Sequence, residues 1–143
     1  MNENTLTLAG RLTADPELRF TPSGAAVASF TVAHNDRTFD KTTNEWKDAG
    51  ETLFLRCSAW RKTGENAAES LRKGDAVFVT GRLKQRSYET SDGEKRTVVE
   101  LDVDTLSVPL DRYSVQINRE SRQPAMAGAG APASSDPFDE PPF

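Results

Sequence analysis

Apolar residues recur at every second position through most of residues 6–117. This spacing constrains the chain more than any other feature, because a two-residue period sends alternate side chains to opposite faces of a strand. In TLTLAGRL, Leu6, Leu8 and then Leu12 define a first strand, with Gly10 marking a bend or bulge. ELRF is a short extended piece and Pro22-Ser23-Gly24 a turn. AVASFTVAHN follows as a second strand in which Val27, Ser29 and Thr31 alternate with Ala28, Phe30 and Val32, so that the region reads as a curved hairpin. ETLFLRCSAW is a third strand, with Leu53, Leu55, Cys57 and Ala59 on one side and Phe54, Arg56, Ser58 and Trp60 on the other. DAVFVTGRLKQRSYET is a fourth, SDG its turn, and EKRTVVELDVDTLSV a fifth in which Val99, Leu101 and Val103 alternate with Glu100, Asp102 and Asp104. One stretch breaks the period: GENAAESLRKG sets Ala67, Ala68 and Leu71 at helical spacing, with Gly74 where a C-terminal cap falls.

Five strands with one helix between the third and fourth is the element order of an OB-fold, a small all-β Greek-key barrel that closes its own edges. Residues 35–50, NDRTFDKTTNEWKDAG, are polar and rich in turn formers, and are expected to form a long loop. DRYSVQIN sets Tyr113, Val115 and Ile117 at period two beyond the barrel. That extra C-terminal strand needs an edge to pair with, which a partner subunit would supply. From Glu120 onward there is no period, and the segment holds five of the eight prolines. It buries too little apolar area to offset its ordering entropy and is expected to be disordered. The reading divides the chain into a barrel domain over 1–119, a flexible linker over 120–135 and an acidic tip over 136–143.

A length of 143 residues suits one folded domain with extensions. The single cysteine, Cys57, excludes an intrachain disulfide and a four-thiolate zinc site, and points to a reducing, cytoplasmic setting. No apolar run approaches a membrane span, and MNENTLTLAGRL lacks the basic and apolar regions of an export signal. The formal net charge of -4 argues at first sight against a polyanionic partner. The charge is segregated, however: residues 120–143 carry -3 of it, whereas residues 56–96 hold ten basic against six acidic residues. That distribution leaves room for a locally positive surface on the folded domain, although a mixed charge run is more often a solvated face.

The third strand shows what such a surface could bind. One face is small and aliphatic, as a core face should be, while the other mixes Phe54 and Trp60 with Arg56. Several stretches, in this order, carry a family resemblance: GRLTADPELRFTPSGAAVASFTVA, LFLRCSAWR, ESLRKGDAVFVTGRLKQRSYET, GEKRTVVELDV and the terminal DEPPF. The chain resembles bacterial single-stranded DNA-binding proteins, especially the actinobacterial kind, over nearly its whole length. The resemblance implies an OB-fold assembled as a homotetramer that wraps single-stranded DNA in replication, recombination and repair. It further implies recruitment of replication and repair proteins through the acidic C-terminal tip, and a cytoplasmic, nucleoid-associated location.

Where enterobacterial members carry a stacking tryptophan after the second strand, this sequence has Phe39. Phe54 stands at the second tryptophan position, Trp60 at the position of a phenylalanine and Tyr88 at the last tryptophan, and Trp46, with no evident counterpart, adds a further candidate. Aromatic rings stack on the exposed faces of single-stranded bases with little regard to base identity. Phosphates along the same track require cations, for which the candidates are Arg56, Arg61, Lys62, Lys73, Arg82, Lys84 and Arg86, together with Arg37 and Arg96. By parity alone Phe54 and Trp60 fit a core face as well as a binding face, and Tyr88 fits cross-strand packing. Phe30 and Phe78 are expected in the core and Phe20 under the first hairpin.

His34 and Cys57 lack the paired spacing of a metal site or a Cys-His nucleophile, and neither TPSGAA nor LRKGD has phosphate-loop spacing. No catalysis, cofactor or metal is expected. Two other classes on the same fold are a module for structured RNA or oligosaccharide, and a nuclease using carboxylates such as Asp36 and Asp40. The tip, Asp136, Pro137, Phe138, Asp139, Glu140, Pro141, Pro142 and Phe143, combines acids, aromatic rings and extended prolines, which suits capture by a basic pocket on another protein.

Overall fold

The computed structural model describes residues 3–119. Six strands and one helix follow one another: β1 (Leu6–Leu12), β2 (Glu17–Phe20), β3 (Ala26–Asp40), β4 (Glu45–Trp60), α1 (Arg61–Ser70), β5 (Ala76–Glu89) and β6 (Lys95–Ser107). The sheet runs β1-β5-β6-β4-β3-β2, and β1 pairs with β3 as well, so β1, β3, β4, β5 and β6 close on themselves. This is the OB-fold barrel. The short β2 and the end of β1 occupy successive stretches of β3, at residues 26–29 and 32–33 respectively.

Two close approaches make closure feasible. A Cβ on Gly10 would collide with the Ala33 carbonyl and the Val32 side chain, so only glycine lets β1 cross onto β3 there. Gly81 sits at a register shift of β5 against β6 and lies against the Asp102 backbone in the same way. Between β4 and β6 the pairing is parallel and short, matching Arg56 with Glu100, Cys57 with Leu101 and Ser58 with Asp102.

The inward parity is filled by Phe30 and Val32 of β3, Leu55, Cys57 and Ala59 of β4, Val77 and Val79 of β5, and Leu101 and Val103 of β6. Leu12, and Ala67 and Leu71 at the helix, complete this cluster. The branched and small side chains suit the tight curvature of a narrow barrel. Leu53 and Val99 share the inward parity yet are exposed, because β3–β4 and β5–β6 run on past the barrel as hairpin arms.

Several expectations are corrected here. Residues 35–50 form a hairpin arm rather than a loop: β3 continues to Asp40, Asn44 turns the chain at φ 62°, and β4 starts at Glu45. Both faces of the arm meet solvent, so no apolar alternation betrays it. Cross-strand side-chain pairs hold it instead. The helix runs Arg61–Ser70 and ends at an extended Leu71, while Gly74, at φ 90°, turns the chain toward β5 and caps nothing. Phe78 is 43% exposed, because Val77 and Val79 take the inward parity of β5. Phe20 is 65% exposed, because β2 is a short terminal strand whose four residues are all exposed.

Beyond the barrel, a turn at residues 109–112 leads to Tyr113, whose hydroxyl accepts a hydrogen bond from the Ala76 N–H at 2.8 Å. Residues from Ser114 on belong to a separate unit, and 114–119 form neither helix nor strand in the single chain. The strand expected from Tyr113, Val115 and Ile117 is therefore not formed within the single chain. The linker over 120–135 and the tip over 136–143 lie outside the described residues. Among the described residues, no helix is long and apolar enough to cross a membrane.

Candidate nucleic-acid interface

The outward parity of β4 supplies the centre of the site. Phe54 is 63% exposed and Trp60 42% exposed, although both belong to a strand whose inward residues Cys57 and Ala59 are fully buried. Side chains of this size on the open face of a barrel need another reason than packing. Arg56 lies between them on the same parity, and among the described residues it has no ion-pair partner.

Neighbouring strands complete a continuous concave surface. Toward the β5–β6 arm, Phe54 and Arg56 share a hollow with Arg86, Tyr88, Val98, Val99 and Glu100. On the other side, Arg56, Ser58, Trp60, Arg86 and Glu100 line a second hollow with Arg19 and Phe20 of β2 and with Val27 and Ser29 of β3. A third hollow joins Trp60 and Ser58 to Lys84, Arg86, Glu100 and Asp102. Tyr88 is 43% exposed, and the Arg86 guanidinium carbon stands 5.9 Å from its ring centroid, a cation–π arrangement that holds both groups on this surface.

The sequence candidates therefore divide into groups. Phe54, Arg56, Trp60, Lys84, Arg86 and Tyr88 converge on the hollows. Arg37, Phe39 and Trp46 sit together on the β3–β4 arm. There the Phe39 and Trp46 rings meet edge to face at 5.4 Å, and Arg37 donates through Nη2 to the Trp46 carbonyl at 3.0 Å. Arg37 also stands 3.9 Å from Asp48, and Lys47 pairs with Asp40 at 2.6 Å. Arg61 and Lys62 open α1 directly after Trp60, with Arg61 at φ 55°. Lys73 lies apart in the turn before β5, its backbone N–H donating to Asp15 at 2.8 Å. Arg96 faces Tyr88 across the β5–β6 ladder and is paired with Glu94 at 3.1 Å. Arg19 and Phe20 were not among the candidates; the only signal was an aromatic next to a cation in a short edge segment.

The three cations of β5 are matched by acids of β6. Arg82 stands 3.7 Å from Asp104, Lys84 3.0 Å from Asp102, and the Arg86 Nε donates to Glu100 at 3.0 Å. These are diagonal pairs, since the residues directly opposite Arg82 and Lys84 are Asp102 and Glu100.

Cys57 is fully buried, and burial pushes its thiol up to about 12, so no thiolate is on offer. Asp36 accepts from the His34 ring at 2.9 Å, and the Lys47 ammonium holds the Asp40 carboxyl below the usual range. Among the described residues no group of three histidines, cysteines or carboxylates is placed to hold a metal ion.

Comparison with known proteins agrees with this geometry. Residues 3–109 match the family described as the single-strand binding protein family. A "Single-stranded DNA-binding protein" of Paenarthrobacter aurescens is 62% identical over 120 residues, covering 84% of this chain and 70% of that protein. One of Mycobacterium bovis with the same name is 50% identical over 162 aligned positions, covering 99% of this chain and 98% of that protein. A third, of Mycolicibacterium smegmatis, is 61% identical over 120 residues, covering 84% of this chain and 72% of that protein. With an OB-fold barrel, an exposed aromatic and cationic face, and a family match over most of its length, the chain belongs to the single-strand binding protein family.

Proposed function

We propose that this protein binds single-stranded DNA without catalysis and with little regard to sequence, protecting it during replication, recombination and repair. The observation that carries the reading is the convergence of exposed Phe54, Trp60 and Tyr88 with Arg56 and Arg86 on one concave face. Bases stack on the rings, each contributing about 1–3 kcal/mol by alanine substitution. Phosphates meet the cations, with Arg56 central. Phe20 and Arg19 extend the track along β2, and Phe39 and Trp46 extend it onto the β3–β4 arm. A duplex keeps its bases stacked inside and offers these rings nothing comparable.

The reading includes assembly as a homotetramer, with an unpaired segment such as 114–119 finding its edge on a partner. It also includes capture of replication and repair proteins by Asp136–Phe143, whose acids and rings suit a basic, apolar-floored pocket.

The test is a titration with an oligo-dT of several tens of nucleotides, followed by tryptophan fluorescence. Trp60 and Trp46 are the two tryptophans of the chain. Strong quenching, little response to duplex, and a loss of about 1–3 kcal/mol in Trp60→Ala are expected. Unchanged fluorescence together with no mobility shift would overturn the reading and leave the barrel to another ligand.

A further inference from the structure

The β5 cations of the proposed DNA face are paired by the protein's own acids. Positions 82, 84 and 86 of β5 are all basic, positions 100, 102 and 104 of β6 are all acidic, and each cation has a carboxylate on the diagonal. The twist of the two strands brings the i, j+2 positions together, so the alternation on each strand becomes a ladder of three ion pairs. Two of its three pairs are part of the site, since Lys84, Arg86, Glu100 and Asp102 line the same hollow as Trp60, whereas Asp104 lines another beside α1. Arg56 contrasts with it: Glu100, its parallel-register neighbour, is bonded to Arg86 instead.

From this geometry we infer that Glu100 and Asp102 are built-in competitors of the DNA phosphates, which lower the affinity of Arg86 and Lys84 and leave stacking as the dominant hold. The inference rests on the single-stranded DNA reading above and concerns how tightly the same face binds. A phosphate that reaches Lys84 must displace the Asp102 carboxylate, 3.0 Å from the ammonium, and tolerate its repulsion at short range. Exposed pairs are weak enough to open, so the carboxylates attenuate binding without blocking it. The consequence is a strand held firmly at the rings and loosely along β5, able to shift while remaining bound.

A double-mutant cycle tests this with the full-length protein and oligo-dT at one fixed salt concentration. Asp102→Asn should tighten binding by up to about fivefold, the range set by opening one exposed ion pair. On a Lys84→Gln background, where no ammonium remains to be released, the same substitution should give a clearly smaller gain. Glu100→Gln with Arg86→Gln is the second cycle, so one poorly folding variant does not decide the matter; thermal melts check each protein. Unchanged or weaker binding in Asp102→Asn and Glu100→Gln would overturn the inference. So would an equal gain with and without Lys84, which would make the effect one of net charge alone. Failure of the parent protein to bind oligo-dT would instead overturn the DNA reading, and the inference with it.

Discussion

His34 lies where β3 leaves the barrel, and both of its ring nitrogens face acceptors: the Ala9 carbonyl at 2.7 Å from Nδ1 and Asp36 at 2.9 Å from Nε2. Only the imidazolium can donate to both at once. The hydrogen bond to Asp36, reinforced by that to Ala9, raises the pKa above its ordinary 6.5. A raised folded-state pKa means that the added stability is fully present below the unfolded value, and is lost as pH rises through the folded one. As pH rises from the ordinary 6.5 through the raised folded-state value, the melting temperature should therefore fall by more in the parent protein than in His34→Gln; parallel curves would contradict this. The sequence alone does not show this arrangement, because the Ala9 carbonyl comes from another strand and only the backbone course of β3 turns Asp36 onto the ring. Phe54, Arg56 and Trp60 were legible, since parity on one strand is a local property. Phe20 and Phe78 were not, because hydrophobicity does not say which face of a strand is turned inward.

At the scale of elements, the β3–β4 arm is the main departure from the pattern. Its composition reads as loop, yet Thr38 pairs with Lys47, Phe39 with Trp46 and Asp40 with Glu45 in regular antiparallel register. Cross-strand contacts substitute for a buried face, and an edge-to-face aromatic pair contributes about 0.5–1.5 kcal/mol beyond its area. Since the arm lies outside the core cluster, Phe39→Ala with Trp46→Ala should lower the thermal midpoint by only a few degrees while weakening oligo-dT binding at least tenfold. Unaltered affinity would remove the arm from the site. The helix was recognised from Ala67, Ala68 and Leu71, but its start at Arg61 was hidden, because β4 passes into it without a loop. The cap expected of Gly74 failed for a related reason: the glycine serves the following turn, where its N–H donates to the Leu12 carbonyl at 2.9 Å.

For the whole molecule, barrel closure is the decisive event, and Gly10 is the close approach that brings β1 onto β3. Gly10→Val should destabilise the protein by about 1–3 kcal/mol or prevent folding, read from denaturant midpoints, because the added atoms meet the Ala33 backbone and the fully buried Val32 side chain. Removing residues 120–143 should leave the barrel folded and able to bind oligo-dT while abolishing capture of partner proteins in a pull-down, and light scattering should give the mass of four chains with or without that segment. Retained capture, or a monomer mass, would contradict the respective part of the proposal. By itself the sequence determined the strand periods, the place of the helix and the two-faced character of β4, all of which follow from local spacing and side-chain chemistry. Only the tertiary structure decided which faces turn inward, that Phe20 joins Trp60, and that the acids of β6 stand against the cations of β5. Those outcomes depend on register and closure between segments far apart in the chain, and no local pattern encodes the distance between them.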